Sequence, residues 1–437
     1  MAEPSFDAIV VGGGPAGMAA AITMAKGGLE VVLIERGRFA GAKNLFGGVL
    51  YTHALAEILP NYWDRKPPFE RPVTEQGYWL LSPDSALRVQ HKSERYKSEP
   101  AEAYTALRAR FDPWLAAQAI AEGVLLIPKT NVTAVRRDDQ GRTIGVATDR
   151  PDGDIAAPLV IIAEGVNNLL TQQLGLATSD LPPRFVALSV KEVIGVPAKE
   201  IEARFGLAGA QEGVAIDLFG DATLGLPGTA FLYTDTKAIS IGVGLLLDEF
   251  VYHNLRPYEV LARFKAHPVV RPYLAGGTSL EYGAHLIPEQ GYDRMPELVA
   301  DGVLVAGDAA CMVDALHREG TNLAMTAGRL AGETALEAHQ RQNFSARALR
   351  AYREGLEQSF VLKDLKQYRR MTDFLDSTPH FMGTYVNFIN DAAQRYFTAH
   401  GMPKREMEHE ILGLLRERRS FFGVAQDVMK LLRGMRG

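Results

Sequence analysis

Three glycines spaced Gly12-x-Gly14-x-x-Gly17, a glutamate at position 35 and a Gly307-Asp308 pair far downstream are residues whose types and spacing do recognisable chemistry. Gly12 permits a tight turn, Gly14 lets the backbone approach a pyrophosphate, and Gly17 lets a helix lie close against a sheet. A helix opening just after such a loop offers unpaired N–H groups and a partial positive charge to phosphates. Glu35 stands 18 residues past Gly17, where a carboxylate can bind both hydroxyls of an adenosine ribose. A bare glycine loop is weak evidence. Here the whole order is present: an apolar run at 6–11, the glycines, an Ala-rich helical run at 15–26 closed by Gly27-Gly28, and a second apolar run at 31–34 ending in the acid. That order reads as a dinucleotide-binding unit.

The downstream block, residues 302–310, reads as a strand running into Gly307-Asp308. An Asp at such a strand end accepts a hydrogen bond from a ribityl hydroxyl, while Gly307 lets the chain come close. Next come His317-Arg318-Glu319-Gly320-Thr321-Asn322 and a helical run at 323–339. A second helix N-terminus there favours negative charge, such as that on a reduced flavin's N1/O2 edge. Two blocks built for the two halves of a long cofactor point to FAD rather than NAD.

These residues need elements to hold them, and the chain has room for two or three domains in its 437 residues. Its 47% hydrophobic and 23% charged content is that of a folded soluble protein. No signal peptide is expected, since the first strand starts within a few residues, and the apolar run 238–247 is too short to span a bilayer. One cysteine, Cys311, excludes a disulfide framework and any iron–sulfur cluster held by this chain alone. It reads as a small packing residue. Ten histidines in no ligand spacing predict no metal, and the cytoplasm is the default compartment. The acidic balance, −5 overall, gives no nucleic-acid-binding pattern.

The fold class expected is α/β. A discontinuous cofactor domain (1–74, 105–180 and 281–345) is interrupted by an antiparallel-sheet substrate domain (75–104 and 181–280) and followed by a helical C-terminal region (346–437). Strand-like runs at 124–127, 132–136, 143–148 and 159–163 continue the first domain, the last ending in Glu164-Gly165. From 185 to 247 the pattern changes to β-branched strands separated by turns, and 256–275 reads as helical. Residues 411–437 carry six Lys/Arg against two acids, with Phe421, Ala425, Val428 and Leu432 on one helical face. Such a helix lies on an anionic membrane, on the protein's own core or on a partner subunit. The aromatic stretch 380–389 is open between a membrane-facing loop and buried helix packing.

The order of motifs resembles the glutathione-reductase-type flavoproteins of the p-hydroxybenzoate hydroxylase branch, and more narrowly the FixC family, relatives of electron-transfer-flavoprotein:quinone oxidoreductase. The motifs are GxGxxG with Glu35, Leu107-Arg108-Ala109-Arg110-Phe111-Asp112, Ala163-Glu164-Gly165 and Gly307-Asp308. The narrower matches are 41–44, 47–51, 284–289, 317–325 and 359–365, and together they span nearly the whole chain. The resemblance implies a glutathione-reductase-type FAD domain, non-covalent FAD, and electron transfer from an electron-transfer flavoprotein toward a membrane quinone. In the quinone oxidoreductases a C-terminal extension carries a [4Fe–4S] cluster; in FixC-type systems that cluster belongs to a small ferredoxin-like subunit, FixX, which fits a chain with one thiol.

It also implies the site. Gly12, Gly14 and Gly17, with Pro15 and Ala16, hold the pyrophosphate, and Glu35 followed by Arg36 holds the adenosine ribose. Arg108 either contacts the cofactor or forms a surface salt bridge. Asp308 with Gly307 holds the ribityl or pyrophosphate region, and Gly320, Thr321 and Asn322 lie by the isoalloxazine edge. Lys43, Asn44, Gly47 and Gly48 line the flavin ring, while Val132, Ala163 and Gly165 complete the cofactor set. His317 and Arg318 either supply a proton or positive charge to flavin or quinone, or pair with Glu319 and neighbouring acids. Two other readings stand beside this one: a polyprenyl double-bond reductase like the geranylgeranyl reductases, and a flavin-bearing scaffold that docks partners at the membrane.

Overall fold

A computed structural model describes residues 5–42, 48–177, 181–289, 291–378, 380–399 and 401–435. The chain divides into two compact units. The first comprises Met1–Phe69, Ala106–Pro182 and Ile287–Gln367; the second comprises Glu70–Thr105, Pro183–Leu286 and Tyr368–Gly437. The helical stretch expected after residue 346 is therefore divided between them.

The first unit is built on a six-stranded sheet in the spatial order Val299–Ala300, Val303–Val305, Val160–Ile162, Ala8–Val11, Val31–Ile34 and Leu125–Ile127. All pairs are parallel except the edge pair Val299–Ala300 with Val303–Val305. Ala8–Val11 and Val31–Ile34 are buried at every position. That is why their sequences are unbroken apolar runs rather than alternating ones: parallel sheets are covered on both faces.

Two helices, Pro15–Lys26 and Thr321–Gln340, pack side by side. They can do so because small residues face each other: Gly328 lies against Ala16 and Ala19, and Gly332 against Ala20 and Thr23. The pairing runs in the same direction along both helices, so their N-termini point toward the same end. A third helix, Ala346–Gln358, buries Leu349, Tyr352 and Leu356, and Tyr352 Oη donates to the Val305 carbonyl at 2.9 Å. That bond fixes the strand that delivers Gly307-Asp308.

The second unit carries a seven-stranded sheet ordered Thr278–Pro288, Val186–Gly195, Ala238–Leu246, Gly228–Thr234, Val214–Gly220, Glu75–Leu81 and Ala86–Lys92. Val214–Gly220 pairs with Glu75–Leu81 in parallel, whereas its pairing with Gly228–Thr234 is antiparallel. In Glu75–Leu81 burial alternates, with Gly77, Trp79 and Leu81 inward and Gln76 and Tyr78 outward. This is the period of two expected of a sheet with one packed face. Val260, Leu261 and Phe264 of the helix Pro257–Ala266 belong to the same core. The single helix expected over 256–275 is broken in two, because a second helix starts only at Arg271. The C-terminal segment of this unit is helical, with Thr384–Phe397, Lys404–Arg418 and Phe421–Gly434 as its long elements.

Candidate cofactor site

Four adjacent parallel strands end in register: Val11 pairs with Ile162 and Ile34, and Ile162 with Val305. The residues that follow these ends are Gly12, Ala163, Glu35 and Ala306-Gly307-Asp308. Residues scattered over some 300 positions of sequence thus meet along one sheet edge, at the carboxyl ends of the strands where open α/β sheets bind ligands.

Gly12 adopts φ +107°, and a Cβ there would strike the carbonyl oxygen of Ala163. A Cβ on Gly17 would strike the carbonyl oxygen of Gly12, so the helix is held against the loop by the lack of a side chain. Gly14, by contrast, has open space where its Cβ would be, with no atom within 4 Å. A loop that is tight at its ends and open at its middle, at a helix N-terminus, accommodates a diphosphate. A Cβ on Gly307 would lie 2.9 Å from that of Ala16, which places the downstream Gly-Asp pair directly beside the glycine loop.

Glu35 is only 8% exposed. Its Oε2 accepts from Gly13 N at 2.8 Å and its Oε1 from Gly37 N at 2.5 Å. Each oxygen retains a lone pair, so the carboxylate is oriented by backbone and still able to accept from a ribose diol. The segment ahead of Val132 closes this corner: Thr130 N donates to the Glu35 carbonyl at 3.1 Å, and Lys129 N to that of Gly37 at 2.8 Å. With the Asn167 amide turned so that its oxygen faces Arg36, that oxygen accepts from both terminal nitrogens of Arg36 at 2.9 and 3.0 Å. Glu164 faces the other way. Its carboxylate caps the short helix Leu169–Gln173 through Leu170 N and Thr171 N, while Gly165 turns at φ +76°.

Arg108 opens the helix Arg108–Ala121 and grips Asp112 with two bonds, Nε to Oδ1 at 2.5 Å and Nη2 to Oδ2 at 2.8 Å. Burial disfavours the charged guanidinium, but Asp112 and Asp308 outweigh it and hold the pKa above the ordinary arginine value. The salt bridge is thus partly buried rather than a surface pair, and it lies within the field of Asp308. Gly41 sits against the Asp112 side chain. Lys43, Asn44 and Gly47 lie outside the described residues; Gly48 opens the strand Gly48–Tyr51.

Gly307 and Asp308 form a short 3-10 turn. Cys311, which follows it, is buried and has its thiol pushed up to about 12 by burial and by Asp308, as befits a packing residue. Gly320 caps the helix that begins at Thr321, and Asn322 Nδ2 donates to Glu319 at 2.6 Å. His317 Nδ1 lies 2.8 Å from Oδ2 of Asp314, a neighbouring acid of the same loop. Sequence reasoning passed over Asp314; its only advance signal was an Asp three residues before a His. It also passed over Asp235 in the second unit, which receives a 2.7 Å hydrogen bond from Ser240 and is pushed up to about 7 by burial.

The cradle fits a flavin dinucleotide, and the families this chain matches point to the same cofactor. Residues 7–171 match the family described as FAD dependent oxidoreductase, 186–287 the family described as ETF-QO, ubiquinone-binding, and 371–436 the ETF-QO/FixC family C-terminal domain. The protein is an FAD-dependent oxidoreductase, of the electron-transfer-flavoprotein:quinone oxidoreductase type. Within that class the chain belongs to the FixC family. It is 41% identical to Protein FixC of Azorhizobium caulinodans over 100% of both chains. It is 37% identical to the probable electron transfer flavoprotein-quinone oxidoreductase YdiS of Escherichia coli, over 94% of this chain and 95% of that one. Among solved structures, a geranylgeranyl bacteriochlorophyll reductase-like protein of Thermoplasma acidophilum shares the fold, with a TM-score of 0.73 at 20% identity over 98% of this chain and 99% of that one. When bound, FAD supplies the redox chemistry.

Proposed function

We propose that this chain takes electrons from an electron-transfer flavoprotein of FixA/FixB type and passes them through its FAD toward a quinone, within a FixABCX-type bifurcating complex. The observation that carries this reading is the coincidence, on one chain, of an FAD cradle and a seven-stranded sheet unit matched over 186–287 to a ubiquinone-binding family. Full-length identity to FixC supports the same route. The single, buried cysteine favours a ferredoxin-like partner of FixX type as holder of any cluster the route needs.

In this reading Gly12, Gly14, Pro15, Ala16 and Gly17 hold the pyrophosphate, Glu35 the ribose and Asp308 the ribityl region, with Arg108 balancing charge beside it. Gly320–Asn322 lie at the flavin edge, and His317 serves proton exchange there. The working place is the inner face of the membrane, where a quinone is found. Among the described residues no helix is long and apolar enough to cross a bilayer; in this reading contact is peripheral and made by the last helix, Phe421–Gly434.

The test is an anaerobic absorbance titration of the FAD-loaded protein. NAD(P)H is expected to leave the flavin oxidised, and a soluble quinone analogue to reoxidise it after chemical reduction. Rapid bleaching by NAD(P)H alone would instead mark a self-sufficient reductase or monooxygenase and overturn the proposal. The polyprenyl-reductase reading has only a likeness of fold in its favour.

A further inference from the structure

Arg108 is the first residue of the helix Arg108–Ala121, and Asp112 lies one turn on. The helix itself gains little from that order. Its N-terminal end carries partial positive charge, which an arginine there opposes. A cation that precedes an acid by four residues is also the less favourable sense of such a pair. The pair is withdrawn from water, with the Arg108 side chain 14% exposed and that of Asp112 2%. A buried ion pair adds little stability over apolar groups of the same size. Charge order and burial thus point to a purpose outside the helix.

Asp112 accepts from one edge of the guanidinium, Nε and Nη2. Gly41, at φ +85°, rests against the same acid: a Cβ there would lie 2.4 Å from that of Asp112. The carboxylate is therefore hemmed in by backbone on one side while it fixes the plane of Arg108 on the other. A guanidinium has five N–H groups, and Asp112 takes two of them. The rest, which form the end-on fork of Nη1 and Nη2, meet no acceptor among the described residues. Burial works against the charge on Arg108, and Asp112 and then Asp308 sustain it. Asp308 in turn follows Gly307, which lies against Ala16 at the glycine loop. A glycine loop at a helix N-terminus and an arginine fork are both made for phosphate oxygens.

We infer that Asp112 is a positioning residue for FAD: it holds one edge of Arg108 so that the fork of Nη1 and Nη2 is presented to the cofactor's phosphates. The inference rests on the reading that the glycine loop and Asp308 flank the cofactor. It is independent of which acceptor takes the flavin's electrons. A diphosphate brings negative charge close to Asp308 and Asp112, and a fixed cation between these acids offsets it. A two-point hold matters because a phosphate fork needs direction as well as charge.

The test titrates full-length apoprotein with FAD, followed by flavin fluorescence, and records phosphorus NMR spectra of the bound cofactor. In Asp112→Asn an amide replaces one acceptor oxygen, so the guanidinium loses its second hold. D112N and Arg108→Gln should each weaken FAD by at least about tenfold, the scale of a lost charge-assisted bond. The double variant should bind no more weakly than R108Q, because Asp112 acts through Arg108. In D112N a diphosphate signal should move in the direction it moves in R108Q. Additive losses in the double variant, or native phosphorus signals in D112N, would leave Asp112 as a support for the Gly41 turn and overturn the inference. If R108Q keeps native affinity and native phosphorus signals, the placing of Arg108 at the cofactor fails, and the inference with it. Should D112N not fold, Arg108→Lys asks the same question with Asp112 in place. Lysine keeps the charge but has no planar fork to share between the acid and a phosphate. R108K should lose affinity as R108Q does; native affinity in R108K would mean that charge alone serves there and would overturn the inference.

Discussion

Glu35 and Asp314 are both acids whose two oxygens are claimed by nearby backbone N–H groups or side chains, yet only Glu35 was visible in the sequence. Its place is set by neighbours in a contiguous local order, strand, turn, helix, strand, so counting 18 residues from Gly17 sufficed. The contact of Asp314 with His317 depends on a loop that closes on itself through Glu319, and no spacing rule encodes that closure. Arg108 falls between: a helix places it one turn from Asp112, but its nearness to Asp308 required the sheet order. At Glu35 a sharp outcome follows from the geometry. Glu35→Gln puts an amide N–H against the N–H of either Gly13 or Gly37 and leaves one oxygen to serve both backbone and ribose. Loss of a charge-assisted bond costs about 1.5–3 kcal/mol, so FAD should bind roughly 10- to 100-fold more weakly. Titration of the apoprotein with FAD, followed by flavin fluorescence, checks this; native affinity in E35Q would remove the ribose role.

At the scale of elements, the helices and strands of the first unit were readable because their apolar runs and glycine stops are local. Sheet order was not: nothing near residue 160 says that Val160–Ile162 must lie between Ala8–Val11 and Val303–Val305. The small-residue seam that joins Pro15–Lys26 to Thr321–Gln340 was equally hidden, since Gly328 and Gly332 look like weak points in a helix until their partner is known. A methyl at Gly328 would be driven into the carbonyl oxygen of Ala16. Ala16 belongs to the first turn after the glycine loop, so the strain reaches the cofactor cradle. Gly328→Ala should therefore destabilise the protein by about 1–3 kcal/mol through overpacking and release flavin at a lower temperature. The control is Gly413→Ala, in the helix Lys404–Arg418 with no atom within 4 Å of its Cβ position, where replacing glycine should be neutral or slightly stabilising. Thermal melts read by flavin fluorescence compare the two; equal melting of G328A and native protein would mean that the seam yields without cost.

For the molecule as a whole, the pattern of the last helix was legible in residues 411–437, but its orientation was not. Phe421–Gly434 is docked by its small and polar side: Gly423, Asp427 and Gly434 are buried, with Gly434 against Met371 and Phe374. Asp427 is held by Arg419, at 3.0 Å to each oxygen, and by Tyr385 at 2.6 Å. These partners outweigh burial and keep its carboxyl below the usual range. The helix's one acid is thus removed from the outer side, where Phe421, Phe422, Val428, Met429 and Leu432 stand exposed, Phe422 at 81%. Arg433 stands exposed beside that stripe, Lys430 Nζ donates to the Ser377 carbonyl at 3.0 Å, and Arg416 lies 4.9 Å over the Phe421 ring. The aromatic stretch 380–389, by contrast, is not an exposed loop. Met382 and Val386 are buried, and most of it opens the helix Thr384–Phe397. An outward apolar stripe with cations and no acid fits a bilayer carrying anionic lipid, since buried apolar area and phosphate attraction add. Native protein should sediment with vesicles containing anionic lipid, less with neutral ones, and less again as salt rises. Phe422→Glu combined with Val428→Glu should abolish sedimentation while leaving FAD content and quinone-analogue reoxidation in solution unchanged, because neither side chain supports the fold. If the double variant still sediments like the native protein, this helix is not the membrane contact.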